Sequence, residues 1–226
     1  MMTGNRITGA LLLCLALAVS GCGPELRRPS VQTAAVDRES ERQMGMALSL
    51  WFGRSERLQR VAWRLLTKGA PLCGDAVGPG FGLGWMDSEA LPERFRRVAR
   101  KSFGIDSKPR VRGLVPGSPA ARAGIEDGDE ITAVDGHGVT SAREVSEAMA
   151  GLSGNSLSLT VMTAGGKHRV VLEGASRCSY PVDLSLSDAI NAFADGRRIG
   201  ITTGMMRFVE SDDELALVVG HELAHN

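Results

Sequence analysis

The stretch from residue 78 to residue 174 constrains the fold most, because glycines divide it into short apolar segments. Four of these segments are rich in Val, Ile and Leu, a composition that favours strands. They span residues 110–115, 130–134, 157–161 and 167–172. Two helical patterns lie among them, at 91–103 and after Ser141, whose hydroxyl forms a predicted capping box with Glu144. Several short strands with two helices predict a small α+β domain.

The charge balance excludes one class of partner. Lys and Arg together number 26, Asp and Glu also number 26, and the formal net charge is zero. A nucleic-acid-binding protein needs a surplus of basic residues to displace counterions from phosphates. Aromatic residues make up only 4% of the chain, so platforms for stacking bases are scarce as well. The sequence therefore predicts a globular protein without a nucleic-acid partner.

The segment before the glycine-rich stretch is helical in pattern. Residues 36–67 predict two helices with a break near Gly53, the second capped by Ser55 and ended by Gly69. Its second half carries an apolar stripe at helical spacing, which predicts a surface that faces a core. The stripe consists of Leu58, Val61, Ala62, Leu65 and Leu66.

The amino terminus has the layout of a secretion signal. Arg6 precedes an apolar run at 10–19 that is too short to span a bilayer. The run ends in Val-Ser-Gly-Cys at 19–22, which resembles the bacterial lipobox and implies a signal peptide at 1–21 with a diacylated Cys22. An ordinary signal peptide with an incidental cysteine is the alternative. A polar tether at 22–35 would follow.

The resemblance to lipoproteins also implies a location. Lipoproteins kept at the inner membrane usually carry Asp after the lipidated cysteine, and this chain has Gly23. We therefore expect a lipid anchor in the outer membrane, with the protein facing the periplasm, over an anchor in the inner membrane.

The four cysteines divide between processing and structure. Cys14 lies in the signal and Cys22 would carry lipid, which leaves Cys73 and Cys178. An oxidising periplasm permits a disulfide between these two, and it would close the base of the glycine-rich block. Two unconnected buried thiols are the alternative, because sequence does not prove a pairing.

Within the glycine-rich block, one run resembles a known family. Residues 115–125 read Val-Pro-Gly-Ser-Pro-Ala-Ala-Arg-Ala-Gly-Ile, followed by Gly-Asp-Glu-Ile at 128–131 and Val-Asp-Gly at 134–136. This run resembles the core of bacterial PDZ domains of the HtrA protease type. The resemblance implies a small β-barrel or sandwich with two helices, for which we expect boundaries at 76–175.

PDZ domains of this type bind a peptide as an added strand and hold its terminal carboxylate on backbone N–H groups of a glycine loop. The resemblance places that loop at Phe81, Gly82, Leu83 and Gly84. It implies that Val145 and Met149 line the groove for the peptide side chains. A glycine-rich strand without a ligand is the alternative.

The carboxyl end carries a metal-binding pattern. A capping box of Ser211 and Glu214 starts a helix on which His221 and His225 lie four residues apart and therefore on one face. Two imidazoles at this spacing can bind one Zn²⁺. Glu222 lies beside them and can act as the general base of a zinc peptidase.

The residues around this pattern resemble a second family. Asn-Ala-Phe-Ala at 191–194, an Asp-Gly turn, the strand 199–203 and the His-Glu-x-x-His helix resemble HtpX-like and CAAX-prenyl-protease-like zinc metallopeptidases. The resemblance implies that the PDZ domain is inserted in a mainly helical peptidase domain made of 36–75 and 176–226. It also implies that the strand 199–203 is an edge on which substrate backbone pairs.

This family takes its third zinc ligand, a Glu, from a helix well downstream of the two histidines. The chain ends at Asn226, and Glu210 and Glu214 lie upstream at positions that do not reach the metal. We therefore expect a peptidase domain that is incomplete at its carboxyl end, the front part of a longer protein.

Two function classes follow. The first is a zinc metalloendopeptidase of the cell envelope that cleaves unfolded or membrane-associated proteins and binds polypeptide termini in its PDZ groove. The second is a non-catalytic lipoprotein adaptor, or inactive fragment, that binds C-terminal peptides. An intramembrane site-two protease is disfavoured, because there the zinc motif precedes the PDZ domain and lies in a transmembrane helix.

Overall fold

The computed structural model describes residues 33–226. The predictions for the signal peptide, the lipidated Cys22 and nearly all of the tether lie outside the described residues. The compact unit that contains the candidate sites spans Ser40–Asn226. No helix within residues 33–226 combines the length and the apolar character needed to cross a membrane.

Helices and strands alternate irregularly along the described chain, which confirms the α+β class. The helices are α1 (Thr33–Lys68), α2 (Glu93–Phe103), α3 (Pro119–Arg122), α4 (Ala142–Ala150), α5 (Thr203–Phe208) and α6 (Asp212–His225), with short 3₁₀ turns at Ala70–Leu72 and Ser88–Ala90. The strands are β1 (Val77–Gly80), β2 (Trp85–Met86), β3 (Arg110–Val111), β4 (Glu130–Val134), β5 (His137–Gly138), β6 (Ser156–Thr163), β7 (Gly166–Glu173), β8 (Ala175–Cys178), β9 (Val182–Ser185), β10 (Ala192–Ala194) and β11 (Ile199–Thr202).

Three sheets organise these strands. The largest has the order β2-β3-β4-β6-β7, with β5 paired to β4, and all its pairings are antiparallel. A two-stranded sheet pairs β1 with β8. The third sheet has the order β10-β11-β9, in which β11 pairs antiparallel with β10 and parallel with β9.

Helix α1 is continuous, so the predicted break near Gly53 and the predicted cap at Ser55 are wrong. A glycine inside a helix costs only about 1 kcal/mol relative to alanine. The first half of α1 buries Leu48 and Phe52, and the second half buries Leu58 and Val61, against different parts of the protein. Packing on both sides of Gly53 therefore outweighs the local preference for a break.

Three buried clusters make up the interior of the described residues. The central core is drawn entirely from residues 81–172 and includes Ile131, Leu157 and Leu159. The split core combines Leu58, Val61, Ala62 and Leu66 of α1 with residues from 178–219. A third cluster packs the first half of α1 against α2. The apolar stripe predicted for α1 therefore faces a core that also contains the last quarter of the chain.

Cys73 and Cys178 are joined by a disulfide, with their Cα atoms 5.7 Å apart. Cys178 ends β8, whose antiparallel partner β1 begins at Val77, opposite Cys178. The bridge and this strand pair hold together the two ends of the segment that contains the central core. The boundaries 36–75, 76–175 and 176–226 stay a prediction.

Candidate zinc site and peptide groove

The helix that carries both histidines begins at a capping box, as predicted. The Ser211 hydroxyl accepts a hydrogen bond from the Glu214 N–H at 3.1 Å, and the Glu214 carboxylate accepts from the Ser211 and Glu210 N–H groups at 3.1 and 2.7 Å. These backbone hydrogen bonds, from Ser211 first and then Glu210, lower the pKa of Glu214. Residues at and just before the start of α6 therefore stabilise its first turn.

The two histidines on α6 converge. Their Nε2 atoms lie 3.2 Å apart, and the rings are nearly perpendicular, at 82°. Two imidazole nitrogens at about 2.0–2.1 Å from a tetrahedral zinc ion stand about 3.3 Å apart, so His221 and His225 fit two positions of a zinc site. Within residues 33–226, no three His, Cys, Asp or Glu side chains are grouped to hold a metal ion. The described residues therefore fit two of the positions of a zinc site.

A cleft of about 380 Å³ lies beside His221, and the half-buried Glu222 lines it. The other lining residues are Ile190, Asn191, Ala192, Met205, Leu217 and Val218. Asn191 precedes β10 and Ala192 begins it. The cleft is therefore lined by β10, by two apolar side chains of α6 and by Glu222, the predicted general base. The sequence predicted Glu222 as the general base but did not identify the residues that line the cleft with it.

The strand beside this cleft is not the one that the sequence predicted. β11 is the central strand of its sheet, paired with β10 on one side and β9 on the other, so residues 199–203 cannot offer a free edge. The two edge strands of this sheet are β9 and β10, and β10 borders the cleft through Ala192. The prediction failed because the strand partners on both sides of β11 are short and carry weak local signals.

Contacts from distant parts of the chain fix both ends of α6. Arg57 of α1 donates to the Asp212 carboxylate at 2.8 Å and to the Val209 carbonyl at 3.2 Å. The hydrogen bond from Arg57 is the main reason that the pKa of Asp212 is lowered. At the other end, the Asn226 side chain accepts from the Gly196 N–H at 2.7 Å, and the Tyr180 hydroxyl donates to the Asn226 carbonyl at 3.0 Å. Sequence reasoning did not predict any of these contacts.

The predicted carboxylate-binding loop, residues 81–84, connects β1 and β2. Its carbonyls face the central core: Phe81 accepts from the Ala120 N–H at 3.0 Å, Gly82 from the Val115 N–H at 2.8 Å and Gly84 from the Arg112 N–H at 2.9 Å. In the described part of the chain no group accepts a hydrogen bond from the N–H groups of these four residues. The loop therefore presents unpaired donors.

Gly82 is needed for this arrangement. Its φ is +69°, a left-handed conformation that favours glycine, and a Cβ at this position would lie 2.2 Å from the Ser118 Cβ. The Ser118 hydroxyl, which caps α3, also donates to the Gly82 carbonyl at 3.2 Å.

The loop lines a cavity of about 800 Å³. Met149 and Ser146 of α4 line it on the PDZ side, Trp51 and Trp63 of α1 form another wall, and Arg177 lies between. Phe81 lines it only in part, because it is 95% buried and belongs to the central core. The cavity thus joins the predicted groove to a surface of α1 that the PDZ resemblance did not imply.

One predicted groove residue is misplaced. Val145 is only 1% exposed and belongs to the central core, so it does not line the cavity. The cap at Ser141 sets the rotation of α4 so that Val145 faces the sheet, while Ser146 and Met149 face the groove. The Trp85 indole also crosses between the groove walls and donates to the Ala142 carbonyl and the Ser146 hydroxyl, both at 3.1 Å.

Comparisons with known proteins agree with both resemblances. Residues 110–162 match the family model described as PDZ domain, and residues 166–226 match the model described as Peptidase family M48. Two proteins, from Brucella suis biovar 1 and Brucella melitensis biotype 1, each carry the name "Putative zinc metalloprotease". Each is 40% identical over 57 residues, which cover 25% of this chain. The match spans 15% of the length of these relatives.

The chain also matches solved structures of PDZ-containing proteins. A crystal structure of the HtrA3 PDZ domain with a phage-derived ligand has 23% identity and a TM-score of 0.34, covering 44% of this chain and 88% of that one. The HtrA-type protease AlgW with a decapeptide has 21% identity and a TM-score of 0.35, covering 49% and 33%. On these two matches, residues 110–162 are similar to PDZ domains and residues 166–226 are similar to peptidase family M48.

Proposed function

We propose that this chain belongs to a zinc metalloendopeptidase of the cell envelope that hydrolyses unfolded or membrane-associated proteins. The observation that carries the proposal is the 3.2 Å approach of the His221 and His225 Nε2 atoms beside a cleft that Glu222 and the edge strand β10 line. The match of residues 166–226 to peptidase family M48 supports it.

Each group in this cleft has a role. His221 and His225 would hold zinc together with a third protein ligand, and zinc when bound would supply Lewis acidity and lower the pKa of water. Glu222 takes a proton from the attacking water and delivers it to the leaving amine. The free edge of β10 binds the substrate backbone as an added strand, which places a peptide bond next to Glu222.

The first experiment concerns Glu222. In the protein expressed from its complete reading frame, Glu222→Gln should abolish hydrolysis of fluorescein-labelled casein and leave the zinc content and the melting temperature unchanged. His221→Ala should remove both zinc and hydrolysis. Hydrolysis that persists in Glu222→Gln would refute the assigned role of this residue.

The adaptor remains the second candidate, because the PDZ groove is formed whether or not a metal is held. The unpaired N–H groups of residues 81–84 favour it as a binding module for peptide termini. An adaptor would bind peptides in this cavity while retaining no zinc and cleaving no casein in any variant.

We also propose that Cys22 carries lipid and anchors the protein in the outer membrane, facing the periplasm. The residues 19–22 support this proposal through their resemblance to the lipobox. Expression in bacteria with radiolabelled palmitate should label the wild-type protein and not Cys22→Ala. Recovery of the label in the inner-membrane fraction would correct the location, and an unlabelled wild-type protein would contradict the anchor.

A further inference from the structure

The cavity beside the loop 81–84 contains two arginines in unlike situations. The Arg112 guanidinium lies over the Phe52 ring, 4.3 Å from its centroid, and 3.7 Å from the Glu56 carboxylate. Arg177, at the end of β8, has no carboxylate within 4.0 Å in the described part of the chain. Asp183, the other acidic residue that lines the cavity, lies 3.9 Å from Arg198. Every acid at the cavity therefore has a cation, and Arg177 has no anion.

Arg177 is held in place from one side only. Its Nε donates to the Cys178 carbonyl at 2.8 Å, and its Nη2 donates to the Tyr180 carbonyl at 2.7 Å. No described group accepts a hydrogen bond from Nη1. Burial lowers the pKa of Arg177. A half-buried guanidinium without an anion costs free energy, and a ligand carboxylate would offset that cost.

The backbone makes room for this side chain next to the loop. The Arg177 stem crosses Gly80, the residue directly before the loop, so closely that a Cβ on Gly80 would lie 2.4 Å from the Arg177 Cδ. Arg177 and residues 81–84 thus line one cavity, although Arg177 lies almost a hundred residues further along the chain. Apolar surfaces of Trp63 and Met149 line the same cavity and suit a peptide side chain.

We propose that Arg177 binds the terminal carboxylate of a polypeptide whose end lies on the loop 81–84, and so makes the groove selective for free C-termini. This inference rests on the proposed peptide-binding function of the PDZ groove. It assigns part of the recognition to a residue of β8, outside the segment that matches the PDZ family model. The guanidinium and the backbone donors bind the same carboxylate. Because an internal segment has no terminal carboxylate, the site distinguishes a free terminus from an internal segment.

The test compares two probes on the same protein. The probes are a pool of fluorescein-labelled nonapeptides, randomised at the last four positions, that ends in a free carboxyl group, and the same pool with a C-terminal amide. Fluorescence anisotropy gives the ratio of the two apparent Kd values. We expect wild type to prefer the free acid and Arg177→Gln to reduce that preference about tenfold, the value of one hydrogen bond to a charged group. Arg177→Lys should retain part of it.

The ratio of the two Kd values does not change if a variant is partly unfolded, because both pools lose binding alike. Arg197→Gln removes the same charge from an exposed residue that does not line the cavity, and it should leave the ratio unchanged. Gly80→Ala keeps Arg177 but displaces its stem, and it should reduce the preference for the free acid over the amide.

The outcomes separate the inference from the function on which it rests. An unchanged ratio in Arg177→Gln overturns the role of Arg177 and leaves the groove as a peptide site. Equal binding of both pools to wild type also overturns it, because no carboxylate is then recognised. Failure of wild type to bind either pool overturns both the groove function and the role of Arg177, while casein hydrolysis reports separately on the peptidase.

Discussion

The central core and the split core differ in how far apart in the sequence their members lie. All members of the central core fall within residues 81–172, and adjacent strands such as β6 and β7 pair through a tight turn. The split core takes four residues from 58–66 and eight from 178–219, with none between. Long loops must close before such contacts form, which costs chain entropy. Helix α6 therefore depends on a core whose residues come from distant parts of the sequence.

The structure compensates for that distance with specific long-range links. The disulfide closes a separation of 105 residues, and the hydrogen bond from Arg57 to Asp212 spans 155 residues. Polar links in the central part span shorter separations, such as 57 residues between the Trp85 indole and the Ala142 carbonyl and four residues between Asp106 and Arg110. This contrast predicts that matched substitutions in the two cores will destabilise α6 to different extents.

Removal of the disulfide should show the contrast most strongly. We expect Cys73→Ala with Cys178→Ala to lower the free energy of unfolding by about 4 kcal/mol, the order expected for a closed loop of this size. Urea denaturation measures the loss. Hydrogen exchange should show that α6 and β11 lose protection while β6 keeps it. Equal loss of protection in β6 would mean that the two cores unfold together.

Two matched leucines test the cores directly. Leu215 of α6 and Leu157 of β6 are both fully buried, at 0% exposure. Each Leu→Ala change should cost about 3 kcal/mol through lost burial and a cavity. Leu215→Ala should expose α6 and the second half of α1 to hydrogen exchange, whereas Leu157→Ala should expose the β4–β6–β7 sheet. The predicted difference between the two cores is wrong if Leu157→Ala increases hydrogen exchange in α6 as much as Leu215→Ala does.

The two serine caps offer a smaller version of the same comparison. Ser211 caps α6 and Ser141 caps α4, each through its hydroxyl and the N–H three residues on. Replacement by alanine should cost about 1 kcal/mol at either position. Ser211→Ala should weaken zinc retention, and Ser141→Ala should weaken binding of the peptide pools. Zinc analysis and anisotropy on both variants decide whether each cap serves only its own site.

The pH dependence should give the smallest effect. Asp212 and Asp106 both have a lowered pKa, chiefly because Arg57 and Arg110 donate hydrogen bonds to them. A carboxyl with a lower pKa in the folded state stabilises above its unfolded pKa, near 4, and that contribution is lost as pH falls through the folded value. Both side chains are partly exposed, so each contributes under about 1 kcal/mol.

The measurement is the urea midpoint between pH 6 and pH 2. Asp212→Asn should reduce the loss of stability in acid that arises at α6. Asp106→Asn should reduce the loss that arises in the segment of β3 and β4. A wild-type slope that neither variant reduces would show that other carboxylates control acid stability.

Much of the local structure follows from local signals in the sequence. Four strands and two helices of residues 78–174, the capping box at Ser211 and the start of α6 are where the pattern predicts them. At Ser141 the hydroxyl accepts from the Glu144 N–H as predicted, but the Glu144 carboxylate accepts from the Thr140 N–H and hydroxyl. The predicted strand at 110–115 is shorter in the structure, because only Arg110 and Val111 pair with neighbours. The wrong predictions concern the break at Gly53, the free edge at the strand 199–203 and the groove position of Val145. All three features depend on which residues pack against these positions.

The sequence by itself determined that His221 and His225 lie on one helical face with Glu222 beside them, because their spacing matches the turn of a helix. It also determined the α+β class and the glycine loop at 81–84. Only the tertiary structure decided that β10 is the edge strand at the cleft and that Arg177 shares a cavity with the loop. Those neighbours meet through strand pairing and core packing between distant segments, which no local pattern encodes.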